Sequence, residues 1–352
     1  MTAPWAVGCD GASSQIRKWL EIEQVWQDYG TYSAVMECGL PQTISRIVLE
    51  PSQPYGFFYF SAGCWRMIYR INQDEDRHRM VQEEAVLSLI KTSLPHAVVH
   101  RFLWASAFRL GQGQCTTYHK DHWMLAGDAA HAMGPSAGAG MMVGLLGVWR
   151  LGWRLALLKQ SRSVRESLLQ DYTREQQAAS RAVQQSNALI FRNLAVTNVS
   201  LATLRSGFLW MAGHIGAFSR QLVRSETLVE QVIPIAHAQD ILKTRNWETR
   251  TRLGRWQVGH RLPYLRLADQ KTTLDLPHLK HLLFPIGMAQ QEEEDDLARQ
   301  IIEQASVPVE RLQVSEEVSS SWRVYTSGFI AFALVRPDQH VICILCRKHG
   351  GK

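Results

Sequence analysis

Residues 127–142 read GDAAHAMGPSAGAGMM, and the assignment of this stretch decides the fold. It contains GPSAG, a literal G-x-S-x-G with Ser136 in the position of a serine nucleophile. A nucleophile elbow sets its serine at the tip of a sharp turn directly after a strand, so that the hydroxyl stands exposed. Here the apolar strand candidate HWMLA ends near Ala126, and residues 127–134 intervene before Pro135. They include Asp128 and His131, for which an elbow has no use. Ser136 is therefore read as a small residue in a glycine-rich loop.

That loop has the makings of a site for a flat ligand. Asp128 arrives at the C-terminal end of a strand, where ligands of open α/β sheets bind. The Pro-Ser-Ala-Gly-Ala-Gly run lets the backbone approach closely, since glycine has no Cβ to obstruct it. A long apolar helix begins at once, from Met141 to about Lys159, aiming free N–H groups and the positive end of its dipole at the ligand. The arrangement suits a ring that gains negative charge on reduction, as the flavin isoalloxazine does.

The composition describes a folded globular chain: 352 residues, 46% hydrophobic and 20% charged. This length admits two domains, or one large domain with insertions. A net charge of +6, from scattered basic residues, fits an anionic small molecule or weak membrane-surface attraction better than nucleic-acid binding. Six cysteines are too few for a disulfide scaffold in a chain this long. No signal-peptide pattern opens the chain. The run AGAGMMVGLLGVW meets Arg150 and is too short and glycine-rich to span a bilayer. The expectation is a cytoplasmic protein with no transmembrane segment and no nucleic-acid partner.

Along the chain, WAVGC reads as a short buried strand, Asp10-Gly11 as a tight turn, and Ser13 or Ser14 as the cap of a helix. Residues 32–71 look β-rich: SRIVLE is a strand, and YGFFYF and CWRMIYRI form a hairpin about a turn containing Gly63. A helix over EEAVLSLIKTSL and a strand over AVVHRFLWASAF follow. The helix after Gly140 is apolar on almost every face and is expected to be buried, with Arg150 and Arg154 pairing with carboxylates or snorkelling. Residues 163–250 look helical throughout, EEEDD a solvated helix start, and the tail mixed α/β. Cys343 and Cys346 form C-x-x-C on a terminal strand, not at the strand-to-helix turn that redox motifs use. His119, Asp121 and His122 are a charged turn before a strand rather than metal ligands.

The stretch WMLAGDAAHAMGPSAGAGMMVGLLGVWRLGWRLA resembles the second flavin motif of the FAD-dependent aromatic hydroxylases, the para-hydroxybenzoate hydroxylase-like monooxygenases. The likeness runs without a gap through Gly127, Asp128, Ala129, Ala130, His131, Pro135, Gly138, Gly140, Met141, Gly144, Trp153, Leu155 and Ala156. VGCDGASSQIR resembles the Asp-Gly motif of the same family through Gly8, Asp10, Gly11, Ser14 and Arg17. GHRLPYLRL (Gly259, Arg261, Pro263) and LVRPDQHV (Arg336, Pro337, Asp338) resemble its thioredoxin-like C-terminal appendage.

The resemblance implies an α/β flavoprotein hydroxylase fold with a Rossmann-like FAD/NAD(P)-binding region. Its parts would be a partial FAD-binding domain (1–25 and 106–180), a β-rich substrate domain (26–105), a helical segment (181–250) and a C-terminal domain (251–352). Asp128 would bind the ribityl chain of FAD. The backbone of Gly138, Ala139, Gly140, Met141 and Met142, entered through Pro135, would meet the flavin's pyrimidine edge. Asp10, Gly11 and Arg17 would support the pyrophosphate and the approach of NAD(P)H, and His131 would lie near the flavin without acting as a base. The implied reaction uses NAD(P)H and O2 to hydroxylate a small phenolic substrate, so that the cofactor carries the chemistry.

The sequence departs from the pattern in places. No G-x-G-x-x-G fingerprint occurs; GQGQCT and GAGMMVG lack the third glycine at the right spacing. Met1 falls just before the Asp-Gly strand, which implies that the ADP-binding half lies upstream or on a complementing chain. Ala139, Met142 and Gly147 stand where the family usually has Gln, Asn and Asp. Two readings stay open at this point: an aromatic hydroxylase, as a homodimer or with a complementing chain, and a non-catalytic relative serving as a binding or interaction module.

Overall fold

The computed structural model describes residues 3–39, 45–61, 64–72, 74–95, 98–134, 139–160, 165–194, 196–214, 232–235, 247–262, 264–265, 267, 272–276, 280–287, 291–312, 323–324 and 329–348. Gly63, Pro135, Ser136, Gly138 and Pro263 lie outside them.

The chain opens with β1 (Ala6–Gly8) and α1 (Gln15–Trp19), then enters a sheet through β2 (Gln24–Gly39), β3 (Arg46–Val48), β4 (Tyr55–Ser61) and β5 (Cys64–Ile71). Two helices, α2 (Arg77–Met80) and α3 (Glu83–Ser93), precede β6 (Arg101–Cys115), which closes this sheet in the order β3-β4-β5-β2-β6. Along β5 alternate residues Trp65, Met67, Tyr69 and Ile71 are buried, the period of two that puts one face of a strand in the core. They meet Val86 and Ile90, four residues apart on one face of α3. Glu83 and Glu84 start that helix where its dipole favours negative charge. Each large apolar side chain so buried contributes about 1.5–3 kcal/mol.

Next come β7 (His119–Lys120) and β8 (Trp123–Leu125), which with β1 form a three-stranded sheet, β1-β8-β7. Three helices follow: α4 (Gly140–Gln160), α5 (Arg165–Leu194) and α6 (Val199–His214). The expected helical run stops short of residue 250, because β9 (Glu248–Arg250) is a strand in the C-terminal sheet. Two elements run across the expected domain limits at 105/106 and 180/181. β6 crosses the first and α5 the second without a break.

The tail holds the small hairpin of β10 (Arg252–Leu253) and β11 (Trp256–Gln257), then β12 (His281–Pro285), α7 (Gln291–Gln304), β13 (Val309–Arg311), β14 (Phe329–Val335) and β15 (Val341–Lys348). Its sheet runs β13-β12-β14-β15-β9, with β12 and β13 parallel and the β12–β14 and β14–β15 pairs antiparallel. A parallel pair crossed by a helix and continued by a hairpin is the thioredoxin-like arrangement. Leu297, Ala298 and Ile301 of α7 cover one face. The acidic start of α7 is not wholly solvated: Glu294 is buried against Arg311 (2.6 Å) and Arg323 (2.8 Å).

Helix α4 differs from expectation in two ways. It is not buried all round, since Met141, Met142, Leu145 and Val148 are exposed. By length and composition it is also long enough to cross a membrane. Its inner face nevertheless carries Arg150 and Arg154, both buried and hydrogen-bonded to α5, as a core helix would.

Candidate functional site

β1 and β8 pair in parallel, Ala6 with Trp123 and Gly8 with Leu125, so their C-terminal ends lie side by side. Each ends in a glycine turn with a left-handed residue, Gly11 (φ 85°) and Gly127 (φ 58°), which a side chain would strain. A Cβ on Gly8 would stand 2.9 Å from the Ile16 side chain, so a glycine there lets α1 pack onto the strand. Arg17, from α1, is buried and joins the two turns, donating to the carbonyls of Ala12 (2.9 Å) and Ala129 (3.0 Å). The two motifs that sequence separates by more than a hundred residues thus form one structure.

The two aspartates differ in what they have left to offer. Asp10 caps α1, accepting from the Ser14 hydroxyl (2.5 Å) and from the N–H groups of Gln15 (2.8 Å) and Ile16 (3.1 Å). The Ser14 hydrogen bond, with these backbone donors, holds its carboxyl below the usual range. Its carboxylate is engaged with its own helix, and its part in the site is to shape the turn. Ser14, one of the two expected caps, accepts from the N–H of Arg17 (2.9 Å). Asp128 stands in the 3-10 turn Gly127–Ala129, exposed, with no hydrogen bond or ion pair among the described residues. Partial desolvation pushes its carboxyl up. An exposed carboxylate with open lone pairs at the end of a parallel strand suits a hydroxyl-bearing ligand.

Helix α4 begins beside this turn: a Cβ on Gly144 would lie 3.6 Å from the Gly127 Cα. Ala139 packs inward near Met133, Leu146 and Val183, while Met141 (77% exposed) and Met142 face out. The structure therefore brings Asp128, Gly140, Met141 and Met142 to one end of the strand pair, and Arg17 and the Asp10–Gly11 turn to the same end.

Several residues that hold this region were not singled out from sequence. Thr173, Gln176, Gln177, Ser180, Gln184 and Asn187 recur at helical spacing on α5 and stitch it to residues 113–134. Gln184 donates to the carbonyls of Gly113 (3.0 Å) and Ala132 (3.1 Å), Asn187 to that of Gly134 (3.1 Å), and Gln177 to that of Cys115 (2.8 Å). That amide stripe at three- and four-residue spacing was the signal available. Gln176 has a stricter role. Arg150 can only donate, and does so to Gln176 Oε1 (2.7 Å), so the amide nitrogen must face His131 Nε2 (3.0 Å) and the Val143 carbonyl (3.0 Å). His131 Nε2 is then an acceptor and the ring is neutral, with burial pushing its pKa down to about 4. Gly147 belongs to the same device: a Cβ there would lie 2.7 Å from Gln176 Nε2.

Other candidates resolve into packing. GQGQC is strand, and Gly111 and Gly113 are bare because the Trp26 ring lies across them, within 2.5 and 2.7 Å of where a Cβ would be. Cys343 and Cys346 are buried in the cores on opposite faces of β15, and burial pushes their thiols up to about 12 and about 11. His119 Nδ1 meets the Thr173 hydroxyl (3.3 Å) and His122 Nδ1 the Pro4 carbonyl (2.9 Å). Among the described residues no three His, Cys, Asp or Glu side chains are grouped to hold a metal ion. The aromatic strands do form a sheet beside the site, but Tyr55, Phe57, Trp65 and Tyr69 are spent on packing α3.

Comparison with known proteins places the chain in a family and a fold. The model of the FAD binding domain family matches residues 1–187. The 3-(3-hydroxy-phenyl)propionate/3-hydroxycinnamic acid hydroxylase of Mycolicibacterium smegmatis is 26% identical over 228 residues, which is 63% of this chain and 40% of that protein. The 6-methylpretetramide 4-monooxygenase of Streptomyces rimosus is 29% identical over 181 residues, 50% of this chain and 32% of that one. The chain thus spans about 40% or less of the length of these curated relatives. Among solved structures, the anhydrotetracycline hydroxylase OxyS of Streptomyces rimosus superposes with a TM-score of 0.69 at 19% identity, covering 98% of this chain and 65% of that one. The flavin-dependent monooxygenase PieE, solved with FAD and substrate, gives 0.70 at 18% identity, covering 96% and 66%. The fold is that of the FAD/NAD(P)-binding flavoprotein hydroxylases.

Proposed function

The chain belongs to the FAD binding domain family, and from that premise we propose that it serves an FAD-dependent monooxygenase hydroxylating a small phenolic ring with NAD(P)H and O2. The observation that carries the reading is Asp128, an exposed carboxylate without a partner among the described residues, at the end of a parallel strand, beside the start of α4 and tied to the Asp10–Gly11 turn through Arg17. In this reading Asp128 accepts from the ribityl hydroxyls, and the N–H groups at the start of α4 meet the pyrimidine edge of the flavin, where the helix dipole favours negative charge. FAD supplies the redox and oxygen chemistry. The chain's own residues orient the ring and keep water from it. Arg17 and Asp10 hold the second turn in place for the pyrophosphate. The hydroxylase names of the curated relatives support the reaction class. The exposed apolar residues of α4 and α6, among them Met141, Leu145, Leu204, Phe208 and Trp210, support a second copy or a complementing chain.

The test is a flavin titration of the purified chain followed by its visible spectrum, with Asp128→Ala alongside. A bound-flavin spectrum that bleaches with NAD(P)H, and an affinity lowered about 10- to 100-fold in the variant, is the expected result; losing hydrogen bonds to a charged group has that size. No binding at high micromolar FAD, or equal affinity in the variant, overturns the reading.

A further inference from the structure

One connected chain of buried polar groups runs from the C-terminal hairpin to the 127–142 stretch. Arg336, where β14 turns into β15, donates to both carboxylate oxygens of Asp338 (3.0 and 2.7 Å) and both of Glu175 on α5 (2.6 and 3.0 Å). Glu175 also accepts from Arg154 of α4 (2.8 Å), whose other arm donates to the Arg150 carbonyl (2.8 Å). Arg150 donates to Gln176, and Gln176 to His131 and the Val143 carbonyl. All seven side chains are at most 4% exposed. Trp153 is flanked by the Arg154 and Arg336 guanidiniums, 4.5 and 5.2 Å from its ring.

Buried ion pairs of this kind are poor sources of stability, because apolar side chains of the same volume hold a core as well or better. What a forked guanidinium adds is geometry: two carboxylates gripped through parallel hydrogen bonds admit one arrangement. The grip falls on the middle of α4, ten to fourteen residues beyond its start, and Gly144, near the start of the same helix, lies against the Gly127 turn. A rigid helix carries a displacement at Arg154 to its N-terminus.

We propose that Arg336 is a positioning residue for the cofactor loop. Acting through Glu175 and Arg154, it sets the placement of α4 and hence of the N–H groups of residues 140–142 relative to Asp128. The inference rests on the flavin reading for its functional consequence, whereas the mechanical link does not.

The experiment compares the full chain with Arg336→Met, Arg336→Lys and Ile342→Ala, the last a core variant of the same sheet outside the network. Hydrogen–deuterium exchange over residues 127–146 is read without flavin, and FAD affinity by titration. Arg336→Met should speed exchange in 127–146 and weaken FAD about tenfold. Arg336→Lys, which keeps the charge without the fork, should do the same to a smaller degree, and it carries the test if the methionine variant does not fold. Ile342→Ala should loosen only the C-terminal sheet. Unchanged exchange over 127–146 in both Arg336 variants, or an equal change in Ile342→Ala, overturns the proposal. If exchange responds but the parent chain binds no FAD, the link stands and the flavin reading fails.

Discussion

The two ends of helix α4's surroundings treat charge in opposite ways. Toward the C-terminal sheet, Glu175, Arg154, Arg336 and Asp338 are buried and pair with one another. Toward the strand ends, Asp128 is exposed and none of the described residues pairs with it. Burial alone would raise the carboxyls of Glu175 and Asp338, yet the neighbouring arginines outweigh it and hold both lowered; at Asp128 partial desolvation acts unopposed. Where a carboxylate is buried it needs an internal partner, and the region is scaffold; the exposed Asp128 keeps its lone pairs open to solvent or a ligand.

The largest test of this contrast is Glu175→Ala. It leaves two buried guanidiniums without their shared counter-ion and should cost about 3–5 kcal/mol, read as a fall in the urea midpoint. A change under about 1 kcal/mol would mean that the network is solvated and the contrast false.

Acid should break the scaffold side next. Folded His131 stays neutral down to about pH 4 and His281 down to about 3, whereas in the unfolded chain both take up a proton near 6.5. Their folded values are depressed, so their contribution is full above about pH 6.5 and declines as the pH falls toward the folded values. For His131 the loss by pH 4 reaches about 3 kcal/mol. Urea midpoints at pH 7.5, 6 and 5 check this, and a flat series would contradict buried neutral imidazoles.

Gly147→Ala is a finer probe. Helix propensity favours alanine by about 1 kcal/mol, but the added Cβ pushes on the Gln176 amide, which three hydrogen bonds hold, and overpacking costs about 1–3 kcal/mol. The net effect should be destabilising by about 1 kcal/mol, with the His131 ring resonances shifted in NMR spectra. Asp128→Ala should show the smallest change in stability, within about 0.5 kcal/mol of the parent, because no described internal partner is lost. A large loss of stability there would assign Asp128 to the scaffold and erase the distinction.

Much of the site was legible in local patterns. Asp128 at a strand end, the glycine turns and the helix behind them depend on neighbours in sequence, and Ser14 capping α1 is a three-residue event. Gly147 stands out in sequence only as a departure from the family pattern. Its reason, the closeness of Gln176, lies on another helix and carries no local signature. Of the two arginines expected to meet carboxylates or snorkel, Arg154 does pair with a carboxylate, Glu175, whereas Arg150 donates to the Gln176 amide; these partners and Arg336 come from α5 and from a hairpin more than 150 residues on. The aromatic residues of β4 and β5 were visible as strand, yet which face they took depended on where α3 packed.

Sequence alone determined the family likeness, the strand–turn–helix order around Asp128, the hairpin of β4 and β5 and the α/β character of the tail, because each follows from side-chain periodicity and turn chemistry over a few residues. Only the tertiary structure decided that Arg17 joins two distant turns, that Asp10 is spent while Asp128 is open, and that the C-terminal sheet grips α4. The difference is physical: a buried polar group is defined by its partner across space, and the partner's distance along the chain leaves no trace in the local pattern.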